Sequence, residues 1–516
     1  MPTVPLPDNP DLGQLRNRAR ELQRAARAGD PDALALVAEH HPAGVPAPSG
    51  RARFRLSAAQ VVLARLHGFT SWPRLVHHVE RVNALTRFPD PAASGSPADD
   101  FLRFACLTYD VDGPDRWAQA RAILAEQPDL PATSIHAAAA AADPAATARH
   151  VGDDSAAARR EAGPFGWTPL LYLAYSRLDG VAEADVLGTA RALLAAGADP
   201  NAGYLWHGLT TPFTALTGVL GGGELGLAAQ PHHPHAPALA RLLLDAGADP
   251  NDGQGLYNRM FDPDDSHLVL LFGYGLGRGD GGPWRARLGD AVDTPAGLLR
   301  SQLSWAVTHG MAQRVRLLID HGVDVGHPYD VGAFGVPPDR LGRTPIELAL
   351  LAGHTAVVEV LLAAGVGMPA LDPVDELVAA VLAGDAATAE GFRSADPALT
   401  GRVAERRPTI VLDAATAGRP AAVALALDLG FDVNARAEPP HGRGMGETAL
   451  HEAAMNGERE IVDILLAAGA DRTVRDARFD ATPAGWAHHG DQPELAALLE
   501  PADPQPEPRA DPRPSR

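Results

Sequence analysis

A phrase built from Leu-Leu, a short spacer and Gly-Ala-Asp, or a close variant, recurs six times and constrains the fold more than any other feature. It reads LLAAGADPN at 193–201, LLDAGADPN at 243–251 and LLIDHGVDV at 317–325. It returns as LLAAGVGM at 361–368, DLGFDVN at 428–434 and LLAAGADRT at 465–473. Self-similarity at a spacing of a few tens of residues is the signature of a stacked repeat array. The glycines Gly197, Gly247, Gly322, Gly365, Gly430 and Gly469 stand 50, 75, 43, 65 and 39 residues apart. The two longest intervals each have room for a degenerate copy, expected at 268–275 and 378–396.

A second phrase precedes the first. Thr-Pro followed by a short apolar stretch occurs at Thr168-Pro169, Thr211-Pro212, Thr344-Pro345 and Thr482-Pro483, with Thr448-Ala449-Leu450-His451 as a variant. Thr accepts a hydrogen bond from an orphan N–H at a helix start, and Pro fits the first helical position. Gly after the Leu-rich segment supplies a left-handed stop. Each unit therefore reads as a capped helix, a turn, a Leu-rich helix, a Gly stop and an extended loop. Ala and Leu in the core, with aromatics at only 5%, fit packed helices better than sheets.

Residues 446–473 (GETALHEAAMNGEREIVDILLAAGADRT) carry both phrases together, and the chain here resembles the ankyrin repeat family. Residues 342–365 resemble it almost as closely. The resemblance implies an all-α solenoid of stacked helix pairs with enlarged loops, covering about 100–500. It also implies hairpin fingers along one edge and protein binding on the fingers and the concave inner-helix face. In such units the His of the TALH slot, here His451, bonds neighbouring backbone and fixes stacking.

The ends differ from the array. Residues 1–90 read as an N-terminal helical module, with two short helices over 15–38 broken at Gly29-Asp30. Ser57-Ala58-Ala59-Gln60 is a capping-box pattern for a third helix, and Phe69 to Leu75 opens a fourth. The phrase at 68–75 is similar to segments found ahead of ankyrin arrays in bacterial proteins. Residues 91–99 read as a linker and 501–516 as a Pro-rich disordered tail. Insertions follow the Gly-Ala-Asp phrase at 202–210, 326–343 and 435–445, where fingers would lie. Two others, 177–185 and 218–237, fall between the helices of a unit.

Composition narrows the function. The formal charge is −20, from 44 basic and 64 acidic residues, which disfavours nucleic acid and anionic membrane surfaces. No apolar run reaches spanning length, no secretory signal is evident, and a cytoplasmic location is expected. The single Cys106 admits neither an intramolecular disulfide nor a thiolate metal site.

No catalytic apparatus is expected. His232, His233 and His235 lie among prolines, and a polar loop explains them better than a zinc site. Asp262, Asp264 and Asp265 precede an apolar helix and read as caps rather than cation ligands. The Gly-rich stretches 221–223 and 273–282 match no phosphate loop, and no Gly-x-Ser-x-Gly elbow occurs. No metal and no cofactor are called for. The expected role is a protein-interaction scaffold with an unknown protein partner. Its expected surface is Tyr204, Trp206, Tyr257, Arg259, Phe261 and Trp305, since aromatics and Arg dominate hot spots. Packing of enlarged loops is the competing explanation for these residues. The alternative function is an enzyme or small-ligand binder with its site in the irregular middle, 203–305.

Overall fold

The computed structural model describes residues 4–7, 9–329, 341–438 and 444–500. The tips of the 326–343 and 435–445 insertions, and the expected tail at 501–516, lie outside these residues. The chain divides into two units, Met1–Leu298 and Leu299–Arg516.

In the first unit the N-terminal module holds α1 (Leu12–Ala28), α2 (Pro31–His40), α3 (Leu56–Leu66) and α4 (Trp72–Leu85). Gly29, at φ 85°, stops α1, and Asp30 caps α2 by accepting from Ala33 N at 2.9 Å. The capping box expected at Ser57 does not form. Helix α3 already begins at Leu56, behind Arg55 as its N-cap, so Ser57 lies inside the first turn.

The repeats follow. α5 (Pro97–Ala105) packs on α6 (Pro114–Glu126), and α7 (Leu130–Thr133) leads into α8 (Ile135–Ala140) and α9 (Pro144–Asp153). Next come α10 (Pro169–Tyr175) and α11 (Glu183–Ala195), then α12 (Ala215–Leu220), α13 (Gly226–Ala229) and α14 (Ala236–Asp245). α15 (Gly253–Met260), α16 (Ser266–Gly273) and α17 (Gly282–Leu288) complete the unit. Helices α8, α10, α12 and α15 stack in one row, while α9, α11 and α14 stack in the other. Residues 268–273 of the copy expected at 268–275 lie in α16.

α18 (Pro295–Thr308) runs across the division at Leu298, and in the second unit it leads into α19 (Ala312–Asp320), followed by α20 (Pro345–Leu351) and α21 (Thr355–Ala363). Then come α22 (Pro373–Ala383), α23 (Ala386–Ala395), α24 (Leu399–Arg406), α25 (Ile410–Thr416) and α26 (Pro420–Asp428). The last helices are α27 (Ala449–Met455), α28 (Arg459–Ala467), α29 (Pro483–His489) and α30 (Pro493–Leu499). Leu377, Val381, Ile410, Leu450, Ile461 and Leu465 belong to one apolar core running through these repeats. Each helix pair is too thin to bury its own apolar face, so neighbours supply the cover.

The repeat chemistry is local and visible. All six phrase glycines have φ between 79° and 97°, the left-handed region that a Cβ disfavours. Thr344 and Glu347 form a capping box at α20. At α27 the box uses His451 instead. Its Nδ1 accepts from Thr448 N at 3.1 Å, which leaves Nε2 to donate to Ala481 O of the next repeat at 3.3 Å. The Asn of the phrase ties loops together: Asn201 Oδ1 accepts from Asp249 N, and Asn251 Oδ1 from Gly277 N, both at 2.8 Å.

Thr211-Pro212 departs from the expected pattern. Pro212 lies in a strand, and the capping residue of α12 is Thr214, two residues on. The cause is a hairpin finger, β2 (Gly203–Trp206) antiparallel to β3 (Pro212–Thr214). A short strand from the N-terminal region, β1 (Thr86–Arg87), pairs parallel with β2 and completes a three-stranded sheet.

Candidate functional site

The 203–214 finger does not present its aromatics to solvent. Tyr204 is 2% exposed, with its ring 4.9 Å from Trp167, 5.7 Å from Phe213 and 6.0 Å from Tyr175. Trp167 in turn lies 5.4 Å from Tyr172. Burial pushes the Tyr204 hydroxyl well above its ordinary pKa. Strand alternation explains this placement. Tyr204 pairs with Phe213 across the hairpin, and both side chains fall on the face turned to α10. Tyr204 is therefore core, a correction to the expected surface.

Trp206 is half-buried. Its Nε1 donates to Thr108 O at 2.9 Å, which anchors the finger to the loop after α5. The N-terminal module covers the rest of the finger. His207 N donates to Arg87 O at 3.1 Å, and Phe88 meets His207 edge-on at 5.0 Å. Val82, Leu205, Trp284 and Leu288 form one apolar cluster. A Cβ on Gly208 would lie 2.3 Å from Asn9 N, so backbone meets backbone here. Arg87 reaches Gly166 O at 3.3 Å and pairs with Glu161 at 2.5 Å.

On α15, Tyr257 is half-buried, donates to Glu224 and meets Phe261 edge-on at 5.3 Å. Arg259 is 1% exposed and pairs with Asp264 at 2.9 Å and Asp262 at 3.3 Å. Its other nitrogen lies 3.2 Å from His232 Nδ1. Asp262 and Asp264 thus neutralise a buried guanidinium. The N-cap of α16 is Asp265, which makes no side-chain cap bond, so of the expected caps only Asp264 reaches the helix start, accepting from Ser266 N at 3.1 Å. Arg259 is enclosed by its own chain and is unavailable to a partner carboxylate. Trp305 belongs to the second unit, on α18, where its ring stacks on His309 at 3.6 Å.

The histidine loop is braced rather than exposed. His233 is 4% exposed, and its Nδ1 accepts from His235 N at 3.1 Å. His235 Nε2 reaches Val181 O at 2.8 Å. Arg177, fully enclosed, donates to Pro231 O at 2.8 Å and Gly218 O at 2.6 Å, which pins this loop to α12. Among the described residues no group of three or more His, Cys, Asp or Glu has metal-binding geometry. Cys106 is buried, and its thiol is pushed up to about 12 by burial.

Burial, reinforced by the Arg259 charge, pushes the His232 imidazole down to about 4, and burial pushes His233 well below its ordinary value. An imidazole in the unfolded chain protonates near pH 6.5. Below that pH the unfolded chain binds more protons than the folded one, so stability contributed here is present above about 6.5 and lost as pH falls toward about 4. The denaturant midpoint is expected to drop across this window, and to drop less in His232→Asn.

Sequence reasoning missed Tyr109, Arg177 and Asp252. Tyr109 has a positive φ of 62° and packs on Phe213 at 5.1 Å, and its hydroxyl accepts from Asn258 at 2.9 Å. Asp252 caps α15 through Gly255 N at 2.7 Å and also accepts from Thr214 and Thr217 of the preceding repeat. The Asp before the Gly253 helix was a readable cap signal; the others carried none.

These helix pairs, caps and loop ties define an all-α architecture of stacked helix pairs. The family model for ankyrin repeats (3 copies) matches residues 377–476, so this segment is three ankyrin repeats, including the weak copy at 378–396. No curated protein matches the chain. Among the described residues no helix is long and apolar enough to cross a membrane.

Proposed function

We propose that the chain is a protein-interaction scaffold whose partner seats on the finger side of the second unit. Ankyrin repeats generally mediate protein–protein interaction. The observation that carries the placement is a recess of about 670 Å³ between the finger roots of two successive repeats. Its walls are residues 323–326, the start of α20 at Thr344, Ile346 and Glu347, and residues 364–367 with Pro369. Beside it Met368 is 61% exposed, a large apolar side chain with no packing role. Glu347 sits in the recess with its carboxyl held below the ordinary value by Thr344 and Arg343, despite partial burial. An apolar anchor flanked by a basic group is the partner chemistry that such a recess favours.

The first-unit finger supports this placement by exclusion. Tyr204 is packed, Trp206 is tied to Thr108, and Arg259 is paired internally. The same contacts favour a structural role for the 203–305 loops over a ligand site. Affinity capture with the full chain tests the reading. Val325→Asp with Met368→Asp is expected to reduce retention of the specific partner at least tenfold with unchanged thermal unfolding. Undiminished retention, with the fold intact, would remove the recess from the interaction.

A further inference from the structure

The net charge of −20 conceals a division. Residues 1–90 carry twelve arginines against eight acidic residues, a balance of +4, so the remainder of the chain carries −24. Within the module the positive charge is concentrated further. Arg16, Arg20, Arg24 and Arg27 recur at helical spacing on α1 and all four are exposed. At 100° per residue they fall on one stripe about 80° wide and about 16 Å long. The stripe of Leu15, Ala19, Leu22 and Ala26, centred about 130° away around the helix, is the buried one.

A second basic segment is fastened beside the first. Arg27 Nε and Gln23 Nε2 both donate to Phe54 O, at 3.0 and 3.1 Å. This contact sets Arg53 and Arg55, both exposed, next to the α1 stripe. They border a recess of about 400 Å³ that also includes His41, Pro46 and Gly50. Among the described residues none of Arg16, Arg20, Arg24, Arg53 and Arg55 pairs with a carboxylate. Outside the module some arginines are paired, as in Arg116–Asp112 and Arg343–Asp375, while others such as Arg191, Arg241 and Arg316 stand singly on different helices.

Unpaired like charges held about 6 Å apart along a helix repel one another, and an array of anions relieves that repulsion. Guanidinium groups match phosphate bidentately and stay charged at any physiological pH. The recess is floored by Pro46, Phe54, Ala58 and Val61, but among the described residues the patch carries no large apolar side chain exposed to solvent as an anchor. Among the described residues the exposed large hydrophobics of the module are Val4, Val45 and Phe88, and none lies on α1 or in 51–55. A protein hot spot needs such an anchor, and a bilayer-inserting helix needs an exposed apolar face.

We infer that the N-terminal module binds the phosphate backbone of a nucleic-acid duplex through Arg16, Arg20, Arg24, Arg27, Arg53 and Arg55, without reading sequence. The acidic remainder of the chain limits affinity and confines contact to this face.

The test uses the full chain, a labelled 20-base-pair DNA duplex and fluorescence anisotropy. At about four phosphate contacts the affinity should fall roughly a hundredfold between about 50 and 200 mM salt. Arg20→Ser with Arg24→Ser should flatten the log–log salt slope by about 2. Arg393→Ser with Arg459→Ser, exposed arginines of α23 and α28, should leave binding unchanged; circular dichroism checks that each variant is folded. No duplex binding at about 50 mM salt overturns the inference, as does an unaltered slope in the α1 variant. Poly-glutamate competing as well as the duplex at equal charge would replace it with an acidic protein partner. Phosphatidylserine vesicles binding where the duplex does not would replace it with a membrane surface.

Discussion

Tyr204→Ala is expected to destabilise the first unit by about 3–5 kcal/mol, the range for deleting a fully buried aromatic. The side chain sits among Trp167, Tyr175 and Phe213 with 2% exposure, so its loss leaves a cavity that a packed hairpin cannot close. Denaturant unfolding read by tryptophan fluorescence measures this directly, since Trp167 lies 4.9 Å away. Tyr204→Phe keeps the ring and the volume, and should cost far less than the alanine variant. The pair separates a packing role from a recognition role. A wild-type midpoint for Tyr204→Ala would show that the finger is not core.

Leu465→Ala should cost about 2–5 kcal/mol in the second unit. Leu465 is fully buried on α28, within the core shared by Leu450, Ile461, Leu495 and Leu499. Repeat arrays couple mainly to neighbours, so the loss should concentrate in the repeats around α25 to α30. Hydrogen exchange by mass spectrometry should show faster exchange there, with α10 and α12 of the first unit unchanged. Leu466, one position along, is only partly buried, and its alanine variant should cost less. Equal costs for the two would mean that the helix does not present one apolar stripe.

The caps show what was legible from sequence. Thr344 and Glu347 stand three residues apart, and the bonds they make are completed inside one turn. Thr448 and His451 do the same. The glycines that end the Leu-rich helices act through a single residue's φ. Ser57 shows the limit of such reading. It has the right spacing to Gln60, yet apolar packing starts the helix one residue earlier, at Leu56. Thr211-Pro212 failed for a related reason, since a hairpin took Pro212 into β3 and moved the cap to Thr214.

The sequence by itself determined the repeat unit: where its helices are capped, where glycine stops them, and which Leu stripe seeks cover. These are interactions between residues a few positions apart, set by backbone geometry and side-chain type. Only the tertiary structure decided what the aromatics do. Thr86 pairs with Leu205 and Arg87 with Trp206 across more than a hundred residues, and no local pattern encodes that partnership. The same docking encloses the 203–214 finger. The charge division followed a similar course: the arginines of α1 were countable, but which of them face solvent depended on the packing of Leu15, Ala19, Leu22 and Ala26. Local hydrogen bonding and helical periodicity repeat along a chain and can be read from it. Burial depends on which distant surface arrives to exclude water, and that is a property of the assembled fold.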